Sequence, residues 1–231
     1  MPSVLVTGSA RGLGYEFAKQ FAEQGYRVYA TCRDRHKADK LTTIADRSEG
    51  LLTVHEMDIG DEASVRACAA SIGDVPIDIL LNNAGVWGGL ETQVLANMDY
   101  DNWAYELNIM LMGPFRVVQA FLDNVIASDE KKIVTVSSQT AAHSYDHVVG
   151  YSYASAKAGL NRIMTALANE LEDKGVTVAL LHPGWVKTEM AGDVADLEPD
   201  YAAAKILDVI KGMTQANSGQ FLQWKGGVHP W

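Results

Sequence analysis

The feature that most constrains the fold is an alternation of short β-branched runs with longer segments of helical period. The runs are apolar on both faces, which indicates strands buried between two layers of helices. This alternation predicts a parallel sheet whose strands are joined by helical crossovers. The seven predicted strands are Val4–Thr7, Arg27–Cys32, Leu51–Met57, Ile77–Leu81, Lys132–Ser137, Val176–Leu181 and Gln220–Trp224.

Six helices are predicted between these strands. They are Leu13–Gln24, Ala38–Arg47, Glu62–Ser71, Asp101–Ala127, Tyr153–Asp173 and Ala202–Gln215. The fourth contains Gly113-Pro114, and because proline cannot donate to the helical ladder we expect a kink or break there. The predicted fold class is therefore α/β, a single doubly wound domain spanning residues 1–231, with helices on both faces of a seven-stranded parallel sheet.

Length and charge narrow the possible functions. The 231 residues, 48% of them hydrophobic, suffice for one sizeable core. The net charge of −10 repels phosphate backbones and acidic lipid surfaces, so we expect neither nucleic acid nor membrane as a partner. The amino terminus lacks a basic and apolar leader, and no apolar run approaches about 18 residues. Cys32 and Cys68 are interpreted as reduced thiols, which together with these features favours a cytoplasmic location.

A glycine-rich turn follows the first strand, at the edge where parallel sheets bind ligands. The turn is Thr7-Gly8-Ser9-Ala10-Arg11-Gly12-Leu13-Gly14. Backbone N–H groups and the positive end of a helix dipole at such a turn favour a pyrophosphate. A tight turn without a ligand is the alternative, and the position at the first β–α crossover favours dinucleotide binding instead.

Further motifs follow the carboxyl ends of later strands. They are Asn82-Asn83-Ala84-Gly85, Ser137-Ser138, Tyr153-Ala154-Ser155-Ala156-Lys157 and Pro183-Gly184. Together with the glycine turn they resemble the short-chain dehydrogenase/reductase family over nearly the whole chain. The segments Ala30–Asp34 and His182–Thr188 and the terminal Pro230-Trp231 resemble the carbonyl-reductase-like branch that includes the sniffer and C-factor proteins.

Tyr153 and Lys157 are one helical turn apart and share a face of the predicted helix. A neighbouring ammonium favours the phenolate, so we expect the pKa of Tyr153 to fall below about 10. The resemblance implies that Tyr153 protonates a carbonyl oxygen, that Lys157 also holds the nicotinamide ribose, and that Ser138 hydrogen-bonds the substrate oxygen. It also implies that Asn108 carries a proton-relay water, for which an ordinary buried amide is the alternative.

Two neighbours compete for these catalytic roles. Tyr151 stands six residues before Lys157, about 120° out of register, so Tyr153 is the better donor. Tyr151 then either lines the pocket or simply packs. Ser137 points to the opposite face of its strand from Ser138.

The residues after the second strand favour NADP(H) over NAD(H). Cys32 stands where an NAD-type acid would accept from the ribose 2′-hydroxyl, and Arg33 and Arg11 can each fork onto a 2′-phosphate. Asp34 could pair with Arg33 or serve the ribose, and Asp58 is expected beside the adenine. The predicted cofactor-binding residues are Gly8, Ser9, Arg11, Gly12, Leu13, Gly14, Arg33, Asp58, Ile59, Asn83, Ala84, Gly85, Tyr153, Lys157, Pro183, Gly184, Val186 and Thr188.

Other polar and aromatic residues give weaker signals. His143 and His147 have no third or fourth ligand at a recognisable spacing, so no metal is predicted. The acidic stretch Asp193–Asp200 is interpreted as a solvated lid entrance. Candidate pocket walls, with packing as the alternative, are Trp87, Trp185 and Met190.

The sequence thus predicts an NADPH-dependent oxidoreductase of the carbonyl reductase type, acting on CH–OH donors, that reduces an aldehyde or ketone by direct hydride transfer. The alternative is a dinucleotide-binding regulatory or signalling protein of C-factor type with vestigial catalysis. The expected partners are a small carbonyl or alcohol substrate and further copies of the chain. The resemblance implies a homodimer or homotetramer that pairs through the long helices carrying Asn108 and Tyr153. The first of these, Asp101–Ala127, is apolar on more than one side, for which a buried helix is the alternative.

Overall fold

The structure, a computed structural model, describes residues 1–147 and 150–231. Within these residues a seven-stranded, wholly parallel sheet forms the centre of the chain, which confirms the predicted fold class. Its strands are β1 (Ser3–Val6), β2 (Arg27–Cys32), β3 (Leu52–Glu56), β4 (Ile79–Asn82), β7 (Lys132–Val136), β8 (Thr177–His182) and β9 (Phe221–Gln223). The order across the sheet is β3-β2-β1-β4-β7-β8-β9. A small antiparallel pair, β5 (Gln93–Val94) and β6 (Asn97–Met98), was not predicted.

The helices follow the predicted pattern, with bounds shifted by up to three residues except in the fourth. They are α1 (Gly12–Glu23), α2 (Asp39–Arg47), α3 (Glu62–Ile72), α4 (Tyr100–Leu107), α5 (Gly113–Ile126), α6 (Tyr151–Glu170) and α7 (Pro199–Gly212). Helix α6 begins two residues before the predicted start, so Tyr151 is its first residue.

The predicted fourth helix is two α-helices joined by a π-helical turn. The turn occupies Asn108–Met112, and α5 follows it directly. Pro114 lies in the first turn of α5, where its missing N–H is one of the groups that lack a helical partner anyway. Because Pro114 has no N–H to donate to the preceding turn, that turn can widen into a π-helix. The interruption of the helix therefore lies just before the expected break at Gly113-Pro114.

The run Tyr100–Ile126 is long and apolar enough to cross a membrane by length and composition alone. Half of its apolar window is buried inside the protein. Val117, Phe121 and Val125 are fully buried there, as in the core helix of a globular protein.

The core lies in two layers, one on each face of the sheet. Strand alternation divides β1 between them, since Val4 and Val6 pack in one layer and Leu5 packs in the other. Residues of α1, α2 and α7 cover the first face, and residues of α3, α5 and α6 cover the second. Cys32 and Cys68 are buried as free thiols, one in each layer.

The strand order decides where a ligand can bind. Strands β1, β4, β7 and β8 are neighbours at the centre of the sheet, so their carboxyl ends form one edge. The chain winds outward through β2 and β3 on one side of β1, and it continues through β4 on the other side. Ligands of doubly wound sheets bind at this switch point, and the predicted motifs all follow these strands.

Candidate active site

A cleft of about 910 Å³ opens at the carboxyl edge of the central strands. It is lined by all of the predicted catalytic and cofactor-binding residues except Ser9 and Asn108. The predicted wall residues Trp87, Trp185 and Met190 line it as well. The fold therefore gathers motifs from across the chain into one concave surface.

The glycine turn presents free backbone donors to this cleft. Arg11 precedes α1 in extended conformation, and within the described residues no side chain caps the helix start. The first N–H groups of α1 therefore remain available to an anion at residues that line the cleft. Ser9 does not line the cleft, because it is fully buried and its hydroxyl donates to the carbonyl of Val6 at 2.9 Å. This hydrogen bond holds the glycine turn against the end of β1.

Two glycines in the turn are required by contacts within the protein. Gly8 has a φ of +71°, and a Cβ there would lie 2.8 Å from Cα of Ala84. A Cβ on Gly14 would lie 2.3 Å from the carbonyl oxygen of Gly8. The Asn83 side chain closes the same contact by donating to the carbonyl of Thr7 at 2.9 Å. The segments after β1 and β4 thus approach each other without side chains between them.

Arg33 and Asp34, at the end of β2, separate in the structure. Nη1 of Arg33 lies on the cleft and donates to the phenol oxygen of Tyr105, which is 3.2 Å away. Asp34 instead accepts from the backbone N–H of His36 at 2.9 Å and pairs with Lys37 at 3.4 Å. The arginine is therefore not paired with its acidic neighbour.

The other predicted phosphate ligand, Arg11, reaches across the cleft mouth to Glu189 and forms an ion pair with it. Both side chains are about two-thirds exposed, at 68% and 69%. An exposed pair of this kind contributes little stability, so an incoming anion can displace the carboxylate. Asp58 also lines the cleft, and its Oδ1 accepts from the N–H of Gly60 at 2.8 Å.

Ser138, Tyr153 and Lys157 lie together at the inner end of the cleft. Lys157 is buried, and its Nζ donates to the carbonyl of Val136 at 2.9 Å and lies 5.9 Å from the centre of the Tyr153 ring. The side-chain hydroxyl of Ser138 lies near enough to the Tyr153 phenol to lower its pKa. The Oγ1 of Thr140 donates to the hydroxyl oxygen of Ser138 at 3.0 Å. That donation leaves the hydrogen of Ser138 free for another acceptor.

Burial is the largest influence on the pKa values of Tyr153 and Lys157, the two predicted catalytic groups. It raises the pKa of Tyr153 to about 12, although the Ser138 hydrogen bond lowers it, and the charge of Glu106 raises it further. Burial likewise lowers the pKa of Lys157 to about 8. The expected decrease in the pKa of Tyr153 was therefore wrong for the chain by itself, because desolvation of the phenolate is the largest influence. The phenol is fully protonated at neutral pH, which is the form a proton donor needs.

The structure separates the competing residues. Tyr151 is half exposed and does not line the cleft. The hydroxyl of Ser137 donates to Oδ1 of the buried Asn161 at 2.5 Å. Tyr153 and Ser138 remain the predicted members of each pair, and Ser138 is near enough to Tyr153 to lower its pKa.

Asn108 does not line the cleft, and its side-chain amide has partners elsewhere. Its Nδ2 donates to the carbonyl of Gly60 at 3.0 Å, and its Oδ1 accepts from Arg116 at 2.7 Å. Ile109 and Met110 line the cleft instead. The proton-relay role of Asn108 stays a prediction, and the π-helical turn sets which residues of the segment face the cleft.

One lining residue that the sequence reasoning missed is His182, at the end of β8. Its Nδ1 accepts from the backbone N–H of Gln139 at 3.2 Å, which holds the segment after Ser138. Burial, followed by the neighbouring His229, lowers the pKa of His182 to about 4. The imidazole is therefore neutral and able to accept this bond. The only signal in the sequence was its position just before Pro183-Gly184.

The described part of the chain holds no group of three or more His, Cys, Asp or Glu side chains that could bind a metal ion. His147 pairs with Asp146 at 3.7 Å, and both are exposed. Of the loop between Ser138 and Tyr153, Val148 and Val149 lie outside the described residues.

The sequence and the fold match known proteins. A family model described as short chain dehydrogenase matches residues 2–199. The C-signal protein of Myxococcus xanthus is 34% identical over 168 residues, which are 72% of this chain and all of that protein. The NADPH-bound carbonyl reductase from chicken fatty liver is 28% identical with a TM-score of 0.90, covering 100% of this chain and 99% of that one.

The carbonyl reductase Sniffer of D. melanogaster has a TM-score of 0.92 with 100% of both chains covered, and at 24% identity it shows the fold alone. These matches confirm the resemblance drawn from the motifs. Because the family model spans most of the sequence and the motifs meet in one cleft, the chain belongs to the short-chain dehydrogenase family.

Proposed function

We propose that this protein is an NADPH-dependent oxidoreductase that reduces an aldehyde or ketone to an alcohol. The observation that carries the proposal is the convergence of Ser138, Tyr153 and Lys157 with the uncapped start of α1 in one cleft. A phenol donor beside an anion-binding helix start is the arrangement that a nicotinamide-dependent carbonyl reduction requires.

The residues present fit NADP(H). The uncapped N–H groups of α1 suit the diphosphate, and Arg33 and Arg11 suit a 2′-phosphate. Cys32, which has no carboxylate, ends β2, and Asp34 is engaged with its own turn. The NADPH in the chicken carbonyl reductase supports the same assignment. When bound, NADPH supplies the hydride that reaches the carbonyl carbon.

The side chains of this protein would handle the oxygen of the substrate. Ser138 donates a hydrogen bond to the carbonyl oxygen, because its own oxygen already accepts from Thr140. Tyr153 then gives its phenolic proton to that oxygen as negative charge develops. Lys157, held by the carbonyl of Val136, stabilises the resulting phenolate when its amine is protonated.

A signalling role is the second candidate, and the 34% identity to C-signal over the whole of that protein favours it. The intact catalytic group favours turnover instead. Purified protein should be mixed with aldehydes, quinones and ketones, and oxidation of NADPH followed by absorbance, with NADH in parallel. We expect carbonyl-dependent oxidation that is faster with NADPH. Tight NADPH binding without turnover of any carbonyl would support the signalling role.

We also propose that residues 1–231 act as one unit and associate with further copies of the chain. Helix α4, the π-helical turn and the start of α5 together expose four large apolar side chains. Exposed apolar patches of this kind mark interfaces between proteins. The four side chains are Tyr100, Tyr105, Met112 and Phe115. Light scattering at micromolar concentration should give a mass of at least twice 25.1 kDa. A species of 25.1 kDa alone would contradict self-association.

A further inference from the structure

A buried carboxyl group lies behind the catalytic tyrosine, outside the cleft. Glu106 on α4 is fully buried, and its Oε1 accepts from the N–H of Gly88 at 2.7 Å and from Nε2 of Gln93 at 3.1 Å. Its Oε2 is buried as well and has no hydrogen-bond partner among the described residues. Burying a carboxyl group with an unsatisfied oxygen is costly, so its position calls for a function.

Gln93 connects this carboxyl group to the backbone of Tyr153. Gln93 is also fully buried, and its Oε1 accepts from the N–H of Tyr153 at 3.0 Å. Gly150, the residue that precedes α6, has no side chain to cap the helix. A Cβ on Gly150 would lie 2.3 Å from Oε1 of Gln93, so the glycine leaves room for the glutamine to cap the helix instead. The first turn of α6 is therefore held by a residue 60 positions earlier in the chain.

The carboxyl group of Glu106 also holds the backbone next to Trp87, which lines the cleft. Gly88, which donates to Glu106, follows Trp87 directly in the chain. The ring of Trp87 stands edge-on to the ring of Tyr153, with 5.2 Å between their centres. We call the pair Gln93 and Glu106 the buried clamp. The clamp fixes the backbone on both sides of this aromatic contact.

We propose that Gln93 and Glu106 are positioning residues that set the place and the protonation of Tyr153 for proton transfer. The proposal rests on the proposed reductase function and deepens it. Proton transfer requires the donor within hydrogen-bond reach of its acceptor, and a misplacement of about 1 Å can cost about 10²-fold in rate. The clamp bonds to the backbone of Tyr153 itself, so its loss would move the phenol directly.

The charge of the clamp acts on the phenol as well. After burial and the Ser138 hydrogen bond, the charge of Glu106 is the next influence on the pKa of Tyr153, and it raises that pKa. The titratable groups around the phenol are Glu106 from α4, Lys157 from α6, and Tyr145 and His182 along the cleft. Glu106 therefore favours the protonated phenol, which is the form that donates in the reduction.

Two variants separate the effect of the clamp on the position of Tyr153 from its effect on the pKa of the phenol. Gln93→Met keeps the length of the side chain and removes both hydrogen bonds. We expect kcat for carbonyl reduction to fall about tenfold while KM for NADPH changes less than about twofold, because the glycine turn, Arg11 and Arg33 are untouched. Glu106→Gln keeps an oxygen for both donors and removes the charge. We expect the pH profile of alcohol oxidation to shift to lower pH by about half a unit or more.

The matched control is Asp101→Asn, which removes the same charge from an exposed position on α4. It should leave the pH profile in place. A purely structural clamp would lower the melting temperature of the variants without shifting that profile. The proposal is overturned if Glu106→Gln and Asp101→Asn give the same pH profile, or if Gln93→Met retains wild-type kcat.

Amide hydrogen exchange tests the clamp without any turnover. Gln93→Met should speed exchange at the N–H of Tyr153 relative to amides in the middle of α6, because that N–H loses its acceptor. Unchanged exchange would refute the clamp itself. If the wild-type protein reduces no carbonyl compound but this exchange does increase, the reductase function fails while the clamp stands.

Discussion

The two halves of the cleft are built from different parts of the polypeptide. The half that suits a dinucleotide is made of backbone, with glycines at 8 and 14 in contact with neighbouring main-chain atoms and an uncapped helix start. The half that would perform catalysis is made of buried side chains, with Tyr153 and Lys157 placed by partners from distant strands and helices. Backbone geometry follows from residue spacing, whereas a side-chain site depends on what the whole fold buries.

The largest expected effect belongs to the catalytic half. Tyr153→Phe removes only the phenol oxygen and keeps the ring packed against Trp87. Turnover should fall by about 10²–10⁴-fold, the usual range for loss of a general acid. Thermal unfolding should change little, since the packing is kept. Steady-state kinetics with the best carbonyl substrate and a melting curve measure the two effects separately.

The control for this variant is Tyr151→Phe, which alters an exposed phenol on the same helix. It should keep wild-type turnover. If Tyr151→Phe lost activity and Tyr153→Phe kept it, the assignment of the donor would be wrong.

The backbone half should respond through stability instead. Alanine usually stabilises a helix relative to glycine, yet Gly14→Ala would place a methyl group 2.3 Å from the carbonyl oxygen of Gly8. We expect the free energy of unfolding to fall by about 2–4 kcal/mol and NADPH affinity to fall with it. Gly212→Ala, at the end of α7 with no atom within 4 Å of the new methyl, should be neutral or slightly stabilising. Equal effects of the two variants in urea unfolding would contradict the steric argument.

Burial of the charged Lys157 side chain should destabilise the folded protein at neutral pH. Its pKa of about 8 lies below the ordinary value of 10.5, so at pH 7 the folded state carries a buried charge that the unfolded state solvates. Between about pH 8 and 10.5 the unfolded state binds more protons, and stability should rise with pH. Lys157→Met should therefore increase the free energy of unfolding by about 2 kcal/mol at pH 7 while turnover is lost.

The gain from Lys157→Met should shrink as the pH approaches 10.5, where the lysine is neutral in both states. Urea unfolding of both proteins at pH 7 and pH 10 measures this difference. A gain that is equal at both pH values would mean that the lysine charge is not the cause.

The smallest expected effect concerns cofactor choice. Arg33→Ala should raise KM for NADPH by at least about tenfold and leave that for NADH nearly unchanged, because a charge-assisted phosphate contact contributes about 1.5–3 kcal/mol. The side chain is exposed, and its one hydrogen bond among the described residues is to Tyr105, so folding should be unaffected. Initial rates with both cofactors provide the comparison. Equal losses for NADPH and NADH would show that Arg33 does not read the 2′-phosphate.

The features predicted correctly from the sequence are those that depend on local pattern. The seven strands and the glycine turn after the first of them follow from periodicity and spacing. The parallel sheet then brings the strand ends together, so a linear order of motifs becomes a cleft.

The features that were missed depend on tertiary contacts. A glutamate such as Glu106 is usually exposed on a helix, and nothing near it in the sequence shows that Gly88 and Gln93 will donate hydrogen bonds to it. The two-residue strand that carries Gln93 is too short for a periodic signal. The direction in which the Asn108 side chain points depends on how the π-helical turn winds, and Pro114 influences that winding only indirectly. The increased pKa of Tyr153 likewise results from burial, which the spacing of residues in the sequence does not predict.

The π-helical turn at Asn108–Met112 also affects which length changes the chain could tolerate. It lets α4 direct Glu106 towards Gly88 and Gln93 while α5 directs Phe121 into the core. The two helices can thus face different parts of the protein. Deleting one residue within the turn would let the run continue as a regular α-helix, and α4 would then rotate by about 100° relative to α5. Such a deletion would carry Glu106 away from Gln93, so the one extra residue in this turn is a condition for keeping the clamp assembled.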